Sequence, residues 1–202
     1  MVFDLNEKRS DISVKSNRYQ AVFFRFLVGY ESGMLVVTRP HYGNILEKVG
    51  IFADVQNIYY TSQQAFKRNF NYNAFWAEAT EFCEIGCAFA YAIDRGNEKQ
   101  RQFQNILRAI GFEVKLKPFI QRQDGSAKGD WDVGITIDIM ENAPSVDRIM
   151  LLSGDGDFSI LMERIKHLHG TVVDIYGVRS LTANALINSA DNFREINSDL
   201  LL

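Results

Sequence analysis

The sequence predicts an α/β protein, a three-layer α/β/α sandwich with a mostly parallel sheet, preceded by an N-terminal extension that forms a β-hairpin. From residue 49 onward, short apolar strands alternate with segments of helical spacing. The predicted strands are residues 49–53, 87–93, 112–116, 147–152 and 171–176, with a short edge strand at 193–196. Apolar strands separated by helices of this length favour parallel pairing with helices on both faces.

Helical segments fill most of the intervals between the strands. After the first strand comes a polar and aromatic stretch, residues 57–72, and then a helix over residues 74–83. Asn97 is placed to cap the next helix and Gly111 to end it. Val133, Ile137 and Met140 share one face of the helix predicted after the polar loop 121–129. The last two helices are predicted over residues 158–169 and 180–190.

Composition excludes several classes of protein. With 202 residues, 47% of them hydrophobic, the chain can bury a sizeable core without disulfides or a structural metal. Its two cysteines, Cys83 and Cys87, form neither a CxxC motif nor a disulfide framework, so a reduced compartment is expected. Residues 1–9 lack the pattern of a secretory signal, and Arg25 and Glu31 interrupt the apolar run that follows. We therefore expect a cytoplasmic protein that does not contact a membrane.

The basic residues are concentrated in one segment of an otherwise acidic chain. The formal net charge is −3, yet residues 95–128 carry eight Lys or Arg against three acids. Such a segment can hold a polyanion such as RNA beside acidic site residues, or it can be a solvated face of a helix and a loop.

Carboxylates follow the ends of several predicted strands. Asp54, Asp94 and Asp155 each come directly after an apolar strand, and the carboxyl ends of parallel strands meet at one edge of the sheet. Asp132 begins the helix after the basic loop, and Asp157 is placed to cap the helix that starts at Phe158. Each Asp taken alone can be a helix cap. Several uncompensated carboxylates at one edge instead favour a cation, and oxygen ligands without Cys or His favour Mg²⁺ or Mn²⁺.

Asp138 lies apart from this group. It is six residues beyond Asp132, about 240° around an ideal helix of ~3.6 residues per turn. We therefore expect Asp138 either to contact residues that hold the ion or to have a structural role.

Four motifs in order resemble the NYN domain of the LabA-like type, within the PIN-like nuclease superfamily. They are Ile51–Asn57, Lys128–Asp138, Leu152–Phe158 and Ala190–Phe193, and the resemblance extends over residues 48–196. It implies a Rossmann-like, PIN-like sheet and an acidic site that uses Mg²⁺ or Mn²⁺ to cleave RNA. The domain is accordingly placed at residues 48–202.

The resemblance also implies roles for particular residues. Asp54, Asp132, Asp155 and Asp157 correspond to the acids of the motifs, and Asp94 corresponds less closely. We expect Asp54, Asp132 and Asp155 to hold one or two cations that activate a water, with Asp157 and Asp94 completing the shell. The predicted substrate-binding residues are Asn57, Arg95, Arg122, Lys128, Trp131 and Ser153, for single-stranded or structured RNA. Trp131 and Tyr59 either stack on unpaired bases or pack locally.

Two other functions stay open. A regulatory or RNA-binding module of the same fold would keep the acids but turn over slowly or not at all. A phosphatase or phosphotransferase would use a strand-end Asp as nucleophile, although the second Asp typical of such enzymes is absent two residues after Asp54.

Residues 1–47 lie outside the resemblance. Apolar runs at residues 22–28 and 34–37, with a turn near Gly29–Gly33, predict a hairpin. Since an isolated hairpin is marginal in water, we expect it to pack on the domain or to form a homodimer.

Overall fold

The structure is a computed structural model that describes residues 27–31, 34–38, 46–94, 96–118, 120–121, 127–128 and 131–202. The chain divides into two compact units, residues 1–45 and residues 46–202. In the first unit, β1 (Leu27–Glu31) pairs with β2 (Met34–Thr38) in antiparallel orientation, with Glu31 opposite Met34. Residues 22–26, where the sequence predicts the start of the first strand, lie outside the described residues.

The second unit alternates strands and helices. In chain order its elements are β3 (Glu47–Asp54), α1 (Val55–Phe66), α2 (Tyr72–Thr80), β4 (Cys83–Asp94), α3 (Glu98–Ile110), β5 (Glu113–Pro118), β6 (Ile120–Gln121), β7 (Ala127–Lys128), α4 (Asp132–Asn142), β8 (Arg148–Leu152), α5 (Ser159–His169), β9 (Val172–Gly177), α6 (Asn184–Ser189) and β10 (Asn192–Glu195). Short 3-10 turns lie at residues 143–145, 156–158, 179–181 and 198–200.

Six of these strands form one all-parallel sheet in the order β10-β9-β8-β3-β4-β5. The first strand of this sheet, β3, lies in its middle. The chain then runs outward through β4 to β5 and returns to β8 on the other side of β3. The strand order therefore reverses between β3 and β8. In open α/β sheets a ligand crevice lies beyond the carboxyl ends of the strands at such a point.

Helices cover both faces of the sheet, which confirms the predicted sandwich. Ile51 and Ala53 pack into one core with residues of α1, α2 and α3, while Phe52 packs into a second core with residues of α4, α5 and α6. All three of these β3 residues are completely buried. This explains the continuous apolar run in the sequence, since a strand covered on both faces has no polar side.

Several elements differ from the prediction, including helices α1 and α2 and the polar loop. Helix α1 occupies most of the stretch for which the sequence predicts no regular structure. The prediction misses this helix because its buried residues Val55, Ile58 and Ser62 form a narrow stripe that includes a polar side chain. Helix α2 ends at Thr80 rather than Cys83, because β4 already begins at Cys83. The polar loop contains β6 and β7, a short antiparallel pair.

Neither cysteine is in a disulfide, and burial raises the pKa of the Cys87 thiol to about 11, which makes it a poor nucleophile at neutral pH. Within the described part of the chain, every helix is too short or too polar to cross a lipid bilayer.

Candidate functional site

A shallow pocket of about 260 Å³ lies where the strand order reverses. It is lined by Asp54, Gln56, Asn57, Tyr60, Thr61, Trp131, Asp132 and Asp155. The three carboxylates come from three elements: Asp54 from the end of β3, Asp155 from the loop after β8, and Asp132 from the first turn of α4. Three of the acids predicted from the sequence therefore share one pocket.

Asp54 is half-buried and caps helix α1. Its Oδ1 accepts a hydrogen bond from the backbone N–H of Asn57 at 3.0 Å. Burial raises the pKa of the Asp54 carboxyl to about 6, and the negative charges of Asp132 and Asp155 contribute to the rise. A cation near these carboxylates would favour the ionised form of Asp54.

Asp155 is held by hydrogen bonds within its own loop. Its backbone N–H donates to Ser153 Oγ at 3.2 Å, and its Oδ1 accepts from the N–H of Asp157 at 3.0 Å. Asp155 therefore caps the 3-10 turn at residues 156–158, and helix α5 has no side-chain cap. The prediction that Asp157 caps this helix is wrong, because the 3-10 turn makes Asp155 the acceptor.

Asn57 fixes the loop after β8 to helix α1. Its Oδ1 accepts from the backbone N–H of Gly154 at 2.9 Å, and on the other side the Gly154 carbonyl accepts from Ala183 N–H at 3.0 Å. A Cβ at position 154 would lie 2.8 Å from the Leu181 carbonyl oxygen, so only glycine fits there without movement of the backbone. Asn57 consequently sets the position of Asp155 relative to Asp54, and its side-chain oxygen is already engaged.

Trp131 anchors the start of α4 and so places Asp132. Its Nε1 donates to the carbonyl of Ala92 on β4 at 3.0 Å, and its ring packs on Tyr91 with 5.4 Å between centroids. A Cβ at Gly134 would come within 2.6 Å of the same ring. The local packing foreseen as one role for Trp131 is therefore present, and the residue also lines the pocket.

Three residues of the predicted site do not line this pocket. Asp94 is exposed and its Oδ1 accepts from Gly96 N–H at 2.8 Å, while Asp157 is also exposed. Ser153 is completely buried, so it has no surface with which to contact a substrate and instead holds Asp155. The side chains of Asp54, Asp132 and Asp155 therefore line the pocket without these three residues.

Asp138 has the structural role expected for it. It accepts from Lys115 Nζ and from the Tyr91 hydroxyl, each at 2.7 Å. Lys115 thus forms an ion pair with Asp138 and not with a ligand.

The predicted basic clamp remains a prediction. Arg95 and Arg122 lie outside the described residues, as does the side chain of Lys128. One basic residue beside the pocket is described, since Lys117 Nζ lies 5.3 Å from the centroid of the Trp131 ring.

Sequence reasoning missed three lining residues: Gln56, Tyr60 and Thr61. All three belong to α1, the helix that was not predicted. A usable signal was present, because residues 56 and 60, like 57 and 61, are four apart and share a face of any helix that begins after Asp54.

The donor set fits Mg²⁺ or Mn²⁺. Among the described residues, no three His, Cys, Asp or Glu side chains are close enough together to bind one ion directly. Mg²⁺ does not require three, since it is commonly held by one or two carboxylates together with waters and substrate phosphates. Asp54 with Asp132 or Asp155 meets this requirement, and the oxygen-only chemistry disfavours Zn²⁺.

Residues 48–197 match the NYN domain, which covers most of the chain. The chain belongs to the NYN domain family. The chain is also 31% identical over 163 residues to the low amplitude and bright protein LabA of Synechococcus elongatus, which covers 74% of this chain and 84% of LabA. All the residues that line the acidic pocket lie inside the NYN domain, and residues 1–47 lie outside the match.

A crystal structure is similar to this NYN domain protein at the level of the whole fold. It is that of a protein of unknown function from Vibrio parahaemolyticus, 58% identical, with a TM-score of 0.74. The similarity covers 77% of this chain and 96% of the Vibrio chain.

Proposed function

We propose that this NYN domain protein hydrolyses RNA phosphodiester bonds at the acidic pocket with the help of Mg²⁺ or Mn²⁺. The observation that carries the proposal is the convergence of Asp54, Asp132 and Asp155 where the strand order reverses. Burial, with a smaller contribution from the charges of Asp132 and Asp155, raises the pKa of Asp54, and a bound divalent cation would favour its ionised form. The resemblance to the NYN and PIN-like nucleases supports the same chemistry.

The carboxylates of the pocket and the residues that position them have different parts in this reaction. Asp54 with Asp132 or Asp155 would hold the cation, and Asn57 with Ser153 would keep Asp155 in place. Mg²⁺ or Mn²⁺, when bound, supplies an activated water and offsets the charge that develops on the phosphate oxygens. Asp54 must be ionised to act as a ligand, so the site is expected to function above about pH 6.

RNA is the proposed partner. Tyr60 and Gln56 line the pocket next to the carboxylates, where they can contact the RNA, and Tyr60 is half exposed. Lys128, Arg95 and Arg122 are proposed to hold the phosphate backbone, because neutralising phosphates supplies most of the sequence-independent affinity for a nucleic acid. A cytoplasmic location and a homodimer formed through residues 1–47 are also proposals.

One observation favours a second candidate, an RNA-binding or regulatory module with little or no turnover. Among the described residues, no three Asp, Glu, His or Cys side chains are placed to hold one metal ion together. Such a protein would bind RNA at the same pocket without cutting it.

Cleavage of labelled single-stranded RNA and DNA tests the proposal, in Mg²⁺, in Mn²⁺ and in EDTA. The variant is Asp155→Asn, which keeps an oxygen to accept the N–H of Asp157 and so preserves the turn. Glu163→Gln, an exposed change on α5, is the matched control. We expect RNA cutting that needs the cation, survives in Glu163→Gln and is lost in Asp155→Asn.

Two results would contradict the nuclease. Cutting by Asp155→Asn at the wild-type rate would show that the acidic pocket is not the active site. RNA binding with no cutting in any buffer would favour the regulatory module.

A further inference from the structure

A second and larger cavity, of about 810 Å³, adjoins the acidic pocket. Its walls come from α1, the start of α2, the end of β4 and the first turns of α3. Gln56 and Tyr60 line both this cavity and the acidic pocket, so the two lie side by side along helix α1. We call it the aromatic cavity.

The wall of the aromatic cavity contains several aromatic side chains. Tyr59 and Tyr60 meet edge to face at 5.4 Å, and Tyr72 packs against Phe103 at 5.7 Å and against Phe70 at 4.9 Å. Tyr59 and Tyr60 are 51% and 50% exposed. Neighbouring aromatic residues that remain half exposed beside a cavity are typical of a surface that stacks on a ligand.

Tyr72 adds an independent sign of a ligand. Its side chain is 6% exposed and lines the cavity, yet its hydroxyl has no hydrogen-bond partner among the described residues. A buried hydroxyl without a partner is unfavourable for folding, and buried tyrosines normally have one. Because the hydroxyl is itself buried, a polar atom of a bound ligand would supply the missing partner only if the Tyr72 ring turned toward the cavity.

We propose that the aromatic cavity binds an unpaired nucleobase of the RNA strand whose phosphate lies at the acidic pocket. This inference rests on the proposed function. Stacking on Tyr59 or Tyr60 would hold the face of the base, and polar side chains of the wall, Asn97 and Gln104 among them, would meet its edge. Lys99, at the same cavity, carries a positive charge suited to the neighbouring phosphate.

The proposal makes the protein selective for single strands. A base in a duplex is stacked and paired, so it can enter a side cavity only after unpairing. A second copy of this chain or an apolar peptide could also cover an aromatic wall. The nucleobase is favoured because the cavity adjoins a pocket suited to phosphate chemistry.

Binding of a fluorescent eight-nucleotide oligouridine tests the inference, measured by anisotropy in Ca²⁺ with the integrity of the RNA checked on a gel. The same measurement is made with an oligomer of equal length that lacks bases. The variants are Tyr59→Ala, which removes a ring that lines only the aromatic cavity, and Tyr59→Phe, which keeps the ring. Phe82→Ala is the control, because Phe82 is a 71% exposed aromatic residue outside the cavity.

We expect Tyr59→Ala to bind oligouridine about tenfold more weakly than the wild type, as loss of one base stack predicts. Tyr59→Phe and Phe82→Ala should bind like the wild type, and the base-free oligomer should bind all four proteins alike. A 4-thiouridine in the oligomer should cross-link to α1 or α3.

Several results would overturn the inference. They are equal affinity of Tyr59→Ala and wild type for oligouridine, an equal loss for the base-free oligomer, or no binding of oligouridine at all. If Tyr59→Ala changed the state of association in solution and left the RNA affinity unchanged, the cavity would be an interface between copies of this chain.

Failure of the cavity proposal can be distinguished from failure of the nuclease proposal. Base-dependent binding without any cleavage would contradict the nuclease and leave the aromatic cavity in place. Cleavage with binding that does not depend on Tyr59 would contradict the cavity and leave the nuclease in place.

Discussion

Asp54 is the residue in which the electrostatics of the pocket are most visible. Burial, together with the charges of Asp132 and Asp155, raises its pKa to about 6, well above the ordinary value of 3.8. The folded protein therefore binds this proton more tightly than the unfolded chain does. The resulting stabilisation is complete below about pH 4 and is lost as the pH rises through 6.

Asp54→Asn is predicted to stabilise the protein in metal-free buffer above pH 6, because it removes a partly buried charge. The shift of about two pKa units corresponds to at most about 3 kcal/mol at pH 8, and the gain should vanish below pH 4. Asparagine keeps the cap, since its oxygen can accept from Asn57 N–H. Urea unfolding between pH 4 and pH 8 measures the effect, with Glu163→Gln as control, and equal stabilities at pH 8 would contradict it.

Asn57→Ala is predicted to destabilise the protein by about 1–3 kcal/mol, because it leaves the buried N–H of Gly154 without an acceptor. Cleavage should fall as well, since Asp155 would lose its fixed position. Gln64→Ala, on an exposed part of the same helix, should change neither quantity by much. If Asn57→Ala and Gln64→Ala unfolded at the same urea concentration, Asn57 would have no such role.

At the residue scale, the sequence predicts that a side chain reaches the pocket only where its place at the end of a strand or the start of a helix is sufficient to bring it there. Asp54 and Asp155 follow strands and Asp132 opens a helix, so topology brings them together. Ser153, Asp155 and Asp157 lie within one turn, where the choice of donor and acceptor decides which side chain faces solvent. No residue pattern encodes that choice, and for this reason the capping residue is Asp155 and not the predicted Asp157.

At the scale of elements, helix α4 owes its position to a tight contact between Trp131 and Gly134. A Cβ on Gly134 would lie 2.6 Å from the indole ring. Gly134→Ala should therefore destabilise the protein by about 1–3 kcal/mol, although alanine has the higher helix propensity by roughly 1 kcal/mol. Displacement of Asp132 should also weaken cleavage.

Urea unfolding and near-UV circular dichroism of the Trp131 environment measure the effect of Gly134→Ala. Glu141→Ala, an exposed change on α4, serves as the control. A Gly134→Ala protein more stable than the wild type would show that helix propensity outweighs the contact.

Sequence periodicity predicted the elements unevenly. Helix α3, with Asn97 as cap and Gly111 beyond its end, was predicted closely because both boundary signals are present. Helix α1 was missed because its buried stripe is narrow. Val133, Ile137 and Met140 share a face of α4 as predicted, but they are 70%, 51% and 38% exposed, since periodicity identifies a face and not what covers it.

At the scale of the whole molecule, the order of the strands decides where the site lies. Alternation of strands and helices in the sequence was enough to predict a parallel sheet. It was not enough to predict that β3 lies between β4 and β8, because this depends on the side of the sheet to which each crossover returns. That order places Asp54 beside the loop that carries Asp155.

Residues 46–202 are predicted to fold and to retain the site without the first 45 residues. This unit is compact, contains both cores, and includes every residue that lines the acidic pocket. The fragment should unfold cooperatively in urea and cleave RNA like the whole chain. A fragment that is insoluble or unfolds without cooperativity would contradict this.

Light scattering on both forms tests the proposed dimer. A whole chain of twice the monomer mass and a monomeric fragment would support dimerisation through residues 1–47. Equal states of association would contradict it.

Titration with Mn²⁺, followed by electron paramagnetic resonance of the free ion, tests most directly whether the three carboxylates act as one cation site. At pH 7.5 the wild type and Glu163→Gln should bind Mn²⁺ with equal affinity, and Asp155→Asn should bind at least tenfold more weakly. The wild-type affinity should also fall as the pH drops below about 6, because Asp54 then keeps its proton. Equal affinities for wild type and Asp155→Asn, without this pH dependence, would contradict the cation site.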